Sequence, residues 1–132
     1  KVIPVSFLCC TPNPSYILLG TLSDSIMLID IKSGRSLKKY ISHKNSEFCL
    51  PTCYMKIEEA ELIMCGSENG QIYVWDSNSQ QVLYTVPVKR AHEKSFKSVV
   101  AVTTGRNNNA IVSFFLNKID HELKVWRYSE HK

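Results

Sequence analysis

The sequence predicts an all-β protein of the propeller class, and three observations carry that prediction. An apolar run ends in the same manner three times, at Ile26-Met27-Leu28-Ile29-Asp30, Ile72-Tyr73-Val74-Trp75-Asp76 and Glu122-Leu123-Lys124-Val125-Trp126-Arg127. The spacing is 46 residues from Asp30 to Asp76 and 51 from Asp76 to Arg127. Between these endings lie short β-rich runs separated by turn residues, and a repeat of roughly 40 to 50 residues built that way is the period of a four-stranded propeller blade.

The first unit opens with a strand over 2–10, closed by Thr11-Pro12-Asn13-Pro14-Ser15, where two prolines fix φ. Strands over 16–21, 26–31 and 36–41 follow, joined by turns at Ser23-Asp24 and at Lys32-Ser33-Gly34-Arg35. The second unit repeats the order, with strands over 48–55, 62–66, 71–76 and 82–86. Its turns fall at Glu58-Glu59-Ala60-Glu61, at Glu68-Asn69-Gly70 and at Ser77-Asn78-Ser79-Gln80. Asn69-Gly70 is a strong hairpin signal because both residue types accept φ > 0. The third unit has strands over 98–104, 110–115 and 123–128, with turns at 105–108 and 117–121, and ends one strand short. The domain organisation is therefore one partial propeller over 1–132, with blades over about 1–43, 44–92 and 93–132.

Three blades do not close a ring, since propellers use roughly 4 to 8. Lys1 is not a methionine and stands just before a strand, so the chain is expected to be the C-terminal part of a larger protein, the remaining blades lying elsewhere. A last blade that lacks its outer strand fits closure by a strand borrowed from the start of the parent chain, which removes an open edge.

With 16 basic and 12 acidic residues the net charge is +4, and Lys38, Lys39, Lys56, Lys89, Arg90, Lys94 and Lys97 are scattered instead of forming a stripe, which points away from direct nucleic-acid binding. Five cysteines, an odd number, fall mostly within strand-like runs (Cys9, Cys10, Cys53 and Cys65), as expected of small buried hydrophobes in a reducing, intracellular compartment. No apolar stretch reaches the roughly 18 to 20 residues that span a bilayer, so no membrane association is expected.

His43 with Cys49 and Cys53 can be read as a zinc site or a Cys-His pair, but a structural zinc site shows two pairs of closely spaced ligands, and a C-x-x-x-C within one strand reads more readily as core. Cys9-Cys10 is no better as a redox pair, because adjacent strand residues point to opposite faces. The aromatics Tyr16, Tyr40, Phe48, Tyr54, Tyr73, Tyr84 and Phe96 could stack bases, yet in blades such residues are more often core. No phosphate-cradling glycine loop, carboxylate pair or G-x-S-x-G elbow is present. The chain is expected to be non-enzymatic and to need no cofactor or metal.

His43 ahead of the second unit, Ser67 at the end of its second strand, Asn69 in the following turn and Trp75 on its third strand resemble the buried hydrogen-bonded group of WD-repeat blades, whose members satisfy one another's donors and acceptors. Asn69 stands where that family carries Asp, and Ile29 replaces the Trp in the first blade. Pro4 to Phe7, Pro12 to Leu18, Leu37 to Tyr40 with His43-Lys44-Asn45, and Cys65 to Asn69 followed by Val74-Trp75 are similar, more narrowly, to the last three blades of the subfamily of WD repeat-containing protein five, the scaffold of histone methyltransferase complexes. The resemblance implies a seven-bladed ring and two binding surfaces.

One surface is a central pocket that grips the arginine of a histone-tail or partner peptide between aromatic rings; on matching positions Ser6, Phe7, Phe48, Cys49 and Pro51 line it, with Pro51 where the family has a sandwiching phenylalanine. The other is a cleft for an acidic-hydrophobic segment of a partner subunit, matched by Asn13, Tyr16, Leu28 and Lys38, with Asn78 in place of a glutamine. Leu28 and Lys38 are equally readable as strand core and solvated charge. The implied function is a nuclear, non-catalytic scaffold that binds protein partners, namely methyltransferase-complex subunits and histone tail peptide. The alternative is a WD-repeat adaptor outside chromatin, such as a ubiquitin-ligase substrate receptor or a signalling scaffold.

Overall fold

Short alternating runs bounded by turn residues pair with their sequence neighbours, because a tight turn makes the adjacent strand the nearest partner for each backbone N–H and C=O. The computed structural model describes residues 2–87, 99–104, 110–116 and 121–127, with side-chain surroundings up to Val86 and Ile57 excepted. Among these residues the chain is all-β. The first sheet joins β1 (Val5–Cys10), β2 (Tyr16–Thr21), β3 (Ser25–Asp30) and β4 (Ser36–Ile41), in that spatial order and antiparallel throughout. The second joins β5 (Thr52–Ile57), β6 (Ala60–Gly66), β7 (Gln71–Asp76) and β8 (Val82–Pro87) in the same order. The third has three strands, β9 (Val99–Thr104), β10 (Ala110–Leu116) and β11 (His121–Arg127), with β10 in the middle. The two four-stranded sheets are consistent with WD-repeat blades.

The repeated Asp explains itself in the turns. The Asp30 carboxylate accepts from Ser33 Oγ at 2.7 Å and its carbonyl accepts from Gly34 N at 2.7 Å. Forty-six residues later, the Asp76 carboxylate accepts from Ser79 N at 2.7 Å and its carbonyl accepts from Gln80 N at 3.0 Å. Each Asp thus closes the turn into the outer strand of its sheet, a standard role for an Asx side chain. The register also breaks at equivalent places, between Leu28 and Ile29 in one sheet and between Val74 and Trp75 in the other.

Several boundaries differ from the sequence reading. β1 begins at Val5 instead of residue 2, after Pro4, which has no N–H to donate. β3 is displaced by one, because Ile31 N leaves the ladder to donate to Ser15 O at 2.9 Å. β5 starts at Thr52 instead of Phe48, since Pro51 cannot donate and the backbone of residues 46–48 is held by a side chain (below). The turn before β6 contracts to Glu58-Glu59, with Glu58 at φ 55° and Ile57 paired to Ala60. In the next turn only Gly70 takes a positive φ, 84°, whereas Asn69 does not. β9, β10 and β11 span Val99–Thr104, Ala110–Leu116 and His121–Arg127, while the turns at 105–108 and 117–120, residues 98 and 128, Phe96, the four cations from Lys89 to Lys97 and the boundary at 92–93 lie outside the described residues.

Trp75, Tyr40, Leu18, Ile26 and Ile63, all essentially buried, fill the space between the first two sheets with Leu50, Cys65 and Tyr73. Each such side chain stabilises the packing by about 1.5 to 3 kcal/mol. The opposite face of the second sheet carries a cluster without aromatics, Cys53, Met55, Leu62, Met64, Ile72 and Val74, and β9 runs near β5, β6 and β7. Gly20 leaves room for the second sheet: a Cβ there would lie 3.0 Å from Thr52 Oγ1 and, within its own sheet, 3.4 Å from Phe7 Cβ.

Candidate functional site

The seam between the first two sheets has a buried inner end and an exposed outer end. At the inner end Trp75 donates from Nε1 to Ile41 O at 2.8 Å, stacks with Tyr73 and receives the edges of Tyr40 and His43. His43 is buried, and among the described residues neither ring nitrogen has a hydrogen-bond partner. Burial pushes its pKa down to about 4, against the pull of Asp24 and Glu68, so the ring is neutral at pH 7. Ser67 Oγ accepts from Lys44 N at 2.9 Å, and Asn69 donates from Nδ2 to Tyr73 OH at 2.8 Å. The four residues His43, Ser67, Asn69 and Trp75 therefore lie close together, but apart from a 3.4 Å bond from Asn69 N to Ser67 Oγ their hydrogen bonds run to other backbone groups and to Tyr73. Asn69 spends its amide on Tyr73 OH and Gln71 N.

The group that ties this end together is Glu68, which sequence reasoning missed. Its Oε2 accepts from three successive backbone donors, Ser46 N at 2.9 Å, Glu47 N at 2.8 Å and Phe48 N at 3.1 Å, while Ser46 Oγ reaches Oε1 at 3.3 Å. The buried Asn45 amide, oriented by its surroundings, donates to Phe48 O at 2.7 Å and to Glu68 Oε2 at 3.2 Å. Burial would raise the Glu68 pKa, but the N–H groups of Glu47, Phe48 and Ser46 outweigh it and hold the carboxyl below its usual range. Asp24 works alongside, accepting from Asn45 N at 2.7 Å and pairing with Lys44 at 3.2 Å. Both contacts bridge about twenty residues, and a turn glutamate in sequence gives no signal of so distant a partner.

The loop so held carries two residues expected at the arginine pocket: Phe48, partly exposed, and Cys49, exposed. Phe7 and Pro51 line a cleft between β1 and β5 together with Cys9, Cys10 and Tyr54. Ser6 turns its hydroxyl back to Gly20 O at 3.3 Å. Cys49 stands exposed in the loop and Cys53 is buried in β5, so the C-x-x-x-C does not lie within one strand as expected and only Cys53 joins the core. Cys9 is half-buried and Cys10 exposed, in contrast to the core role expected of both. Among the described residues no His, Cys, Asp and Glu cluster is arranged to hold a metal.

At the outer end the structure places Asn13, Tyr16, Leu28, Lys38 and Asn78 around one groove of about 550 Å³, with Leu37, Tyr54, Glu61 and Ile63. Lys38 Nζ donates to Asn78 O at 3.0 Å, Asn78 Oδ1 at 3.2 Å and Ser77 O at 3.4 Å. Tyr40 OH donates to Ser77 O at 2.7 Å, and Lys39 N donates to Gln80 Oε1 at 2.9 Å. β4 of one sheet is thereby stitched to the β7–β8 turn of the next. Burial and the neighbouring Glu61 carboxylate push the Tyr54 pKa up to about 12.

No protein-family model matches the chain. It is 32% identical over 83 residues to an uncharacterized WD repeat-containing protein of Schizosaccharomyces pombe, which covers 62% of this chain and 27% of that protein. A WD repeat domain-containing protein 83 homolog of Dictyostelium discoideum is 25% identical over 97% of this chain and 36% of its own length. The protein Root Initiation Defective 3 of Arabidopsis thaliana is 29% identical over 99% of this chain and 30% of its own. These relatives support the WD-repeat family, and the chain spans between about a quarter and a third of their length.

Proposed function

We propose that this chain contributes three blades to a WD-repeat propeller that works as a non-catalytic scaffold, docking extended segments of partner proteins in the groove between its first two blades. The observation that supports the reading is the convergence of Asn13, Tyr16, Leu28, Lys38 and Asn78, drawn from four separate stretches of sequence, on that one groove. Apolar floor and polar rim together suit a peptide that needs both anchoring and register. The relatives' WD repeats point to the same general role.

The finer reading is a nuclear subunit of a histone methyltransferase complex, with Ser6, Phe7, Phe48, Cys49 and Pro51 forming a pocket for the arginine of a histone tail. A second reading, an adaptor outside chromatin, is favoured at one position: Pro51 supplies no aromatic ring to sandwich a guanidinium. Anisotropy titration with an arginine-bearing histone-tail peptide, its alanine control and the Pro51→Phe variant separates the two. Saturable binding that needs the arginine, in the wild type or only in Pro51→Phe, supports the methyltransferase ancestry; no binding by either variant supports the adaptor.

A further inference from the structure

The charge of the groove differs from what its residue types suggest. Lys38 is its lysine, yet its ammonium already donates to three oxygens of the Ser77-Asn78 turn, and Asp76 lies close enough to feel its charge. A lysine so engaged has little left to offer an incoming carboxylate. Glu61, by contrast, is exposed at the wall of the same groove and makes no ion pair among the described residues. Its neighbour Tyr54 hydrogen-bonds to that carboxylate and feels its negative charge, which leaves the carboxylate's other lone pairs for an incoming cation. Tyr16, Leu28 and Ile63 line the same groove and give it an apolar floor.

We propose that the groove selects a basic-hydrophobic peptide segment, whose Lys or Arg pairs with Glu61 while its apolar neighbours rest on Leu28 and Tyr16. This rests on the reading of the groove as the docking surface and reverses the acidic-hydrophobic preference which the subfamily resemblance implies. Glu61 is then the specificity-determining residue, and Lys38 is a structural stitch between blades.

The test uses the full chain and two fluorescein-labelled hexapeptides of equal length, one with two lysines alternating with valines and one with glutamates in place of the lysines. The basic peptide is expected to bind roughly five-fold tighter, the size of a partly exposed charge pair, and to lose that advantage in high salt. Glu61→Lys is expected to invert the order, and Leu28→Arg to weaken both peptides. Equal or tighter binding of the acidic peptide, lost in Leu28→Arg, overturns this inference while keeping the groove as the docking surface. An unchanged preference in Glu61→Lys likewise overturns it. Binding of neither peptide, or binding indifferent to Leu28→Arg, overturns the docking reading and this inference with it.

Discussion

The two ends of the seam between the first blades use similar bonds in different surroundings. At the inner end Glu68, Asn45 and His43 are buried, and three backbone N–H groups converge on a single carboxylate oxygen. At the outer end the buried Tyr40 also reaches the Ser77–Gln80 turn, but Lys38 and Lys39 do so through exposed bonds that water can replace. A bond that water can replace is worth little net, while a buried donor deprived of its acceptor carries its whole desolvation penalty. The inner end therefore fixes how the blades sit, and the outer end trims the fit.

The strongest way to break that contrast is to empty the aromatic cluster on which the inner end rests. Trp75→Ala is expected to cost about 3 to 5 kcal/mol, measured by urea unfolding, through lost burial and the cavity left against Tyr40, Tyr73 and His43. Protons provide the next largest effect. The folded His43 is held neutral with a pKa of about 4, whereas the unfolded side chain takes up a proton near 6.5. Stability should then fall as pH drops from 6.5 towards 4, by about 3 kcal/mol at the low end. Glu68 and Asp24, whose carboxyls are lowered in the fold, add to the decline at still lower pH, since their contribution exists only while they are ionised. His43→Phe should remove the upper part of this pH dependence, and a curve unchanged between pH 6.5 and 4.5 would show that His43 is not its source.

Glu68→Ala should cost about 2 to 3 kcal/mol by leaving the Ser46, Glu47 and Phe48 N–H groups without an acceptor, with faster amide exchange confined to that loop. Lys38→Met, at the outer end, is expected to cost a few tenths of a kcal/mol. Should it approach the Glu68→Ala value, the assignment of the inner end as the dominant one would fail.

The repeat was legible because it is local. A strand ending in Asp followed by a turn is written within ten residues, so the strand order and the meander of the first two sheets could be read. Strand starts were less legible, as at Phe48, because a loop stabilised by a side chain twenty residues away looks in sequence like a strand of Phe, Cys and Leu. The groove residues could be named through family resemblance, but not their state: nothing in the composition reveals that Lys38 is occupied by a turn or that Glu61 has no ion pair among the described residues. His43, Ser67, Asn69 and Trp75 were legible as neighbours, while their actual partners, Ile41 O, Lys44 N and Tyr73, were not, because backbone acceptors leave no mark on side-chain identity.

At the outer end, Ser77 O serves both Tyr40 and Lys38, and Asn78 O serves Lys38 again. Main-chain carbonyls are supplied by any residue, so substitutions in this turn can accumulate while neighbouring blades remain joined. A contact of this kind tolerates wide divergence in the letters of the turn while the two sheets still stack.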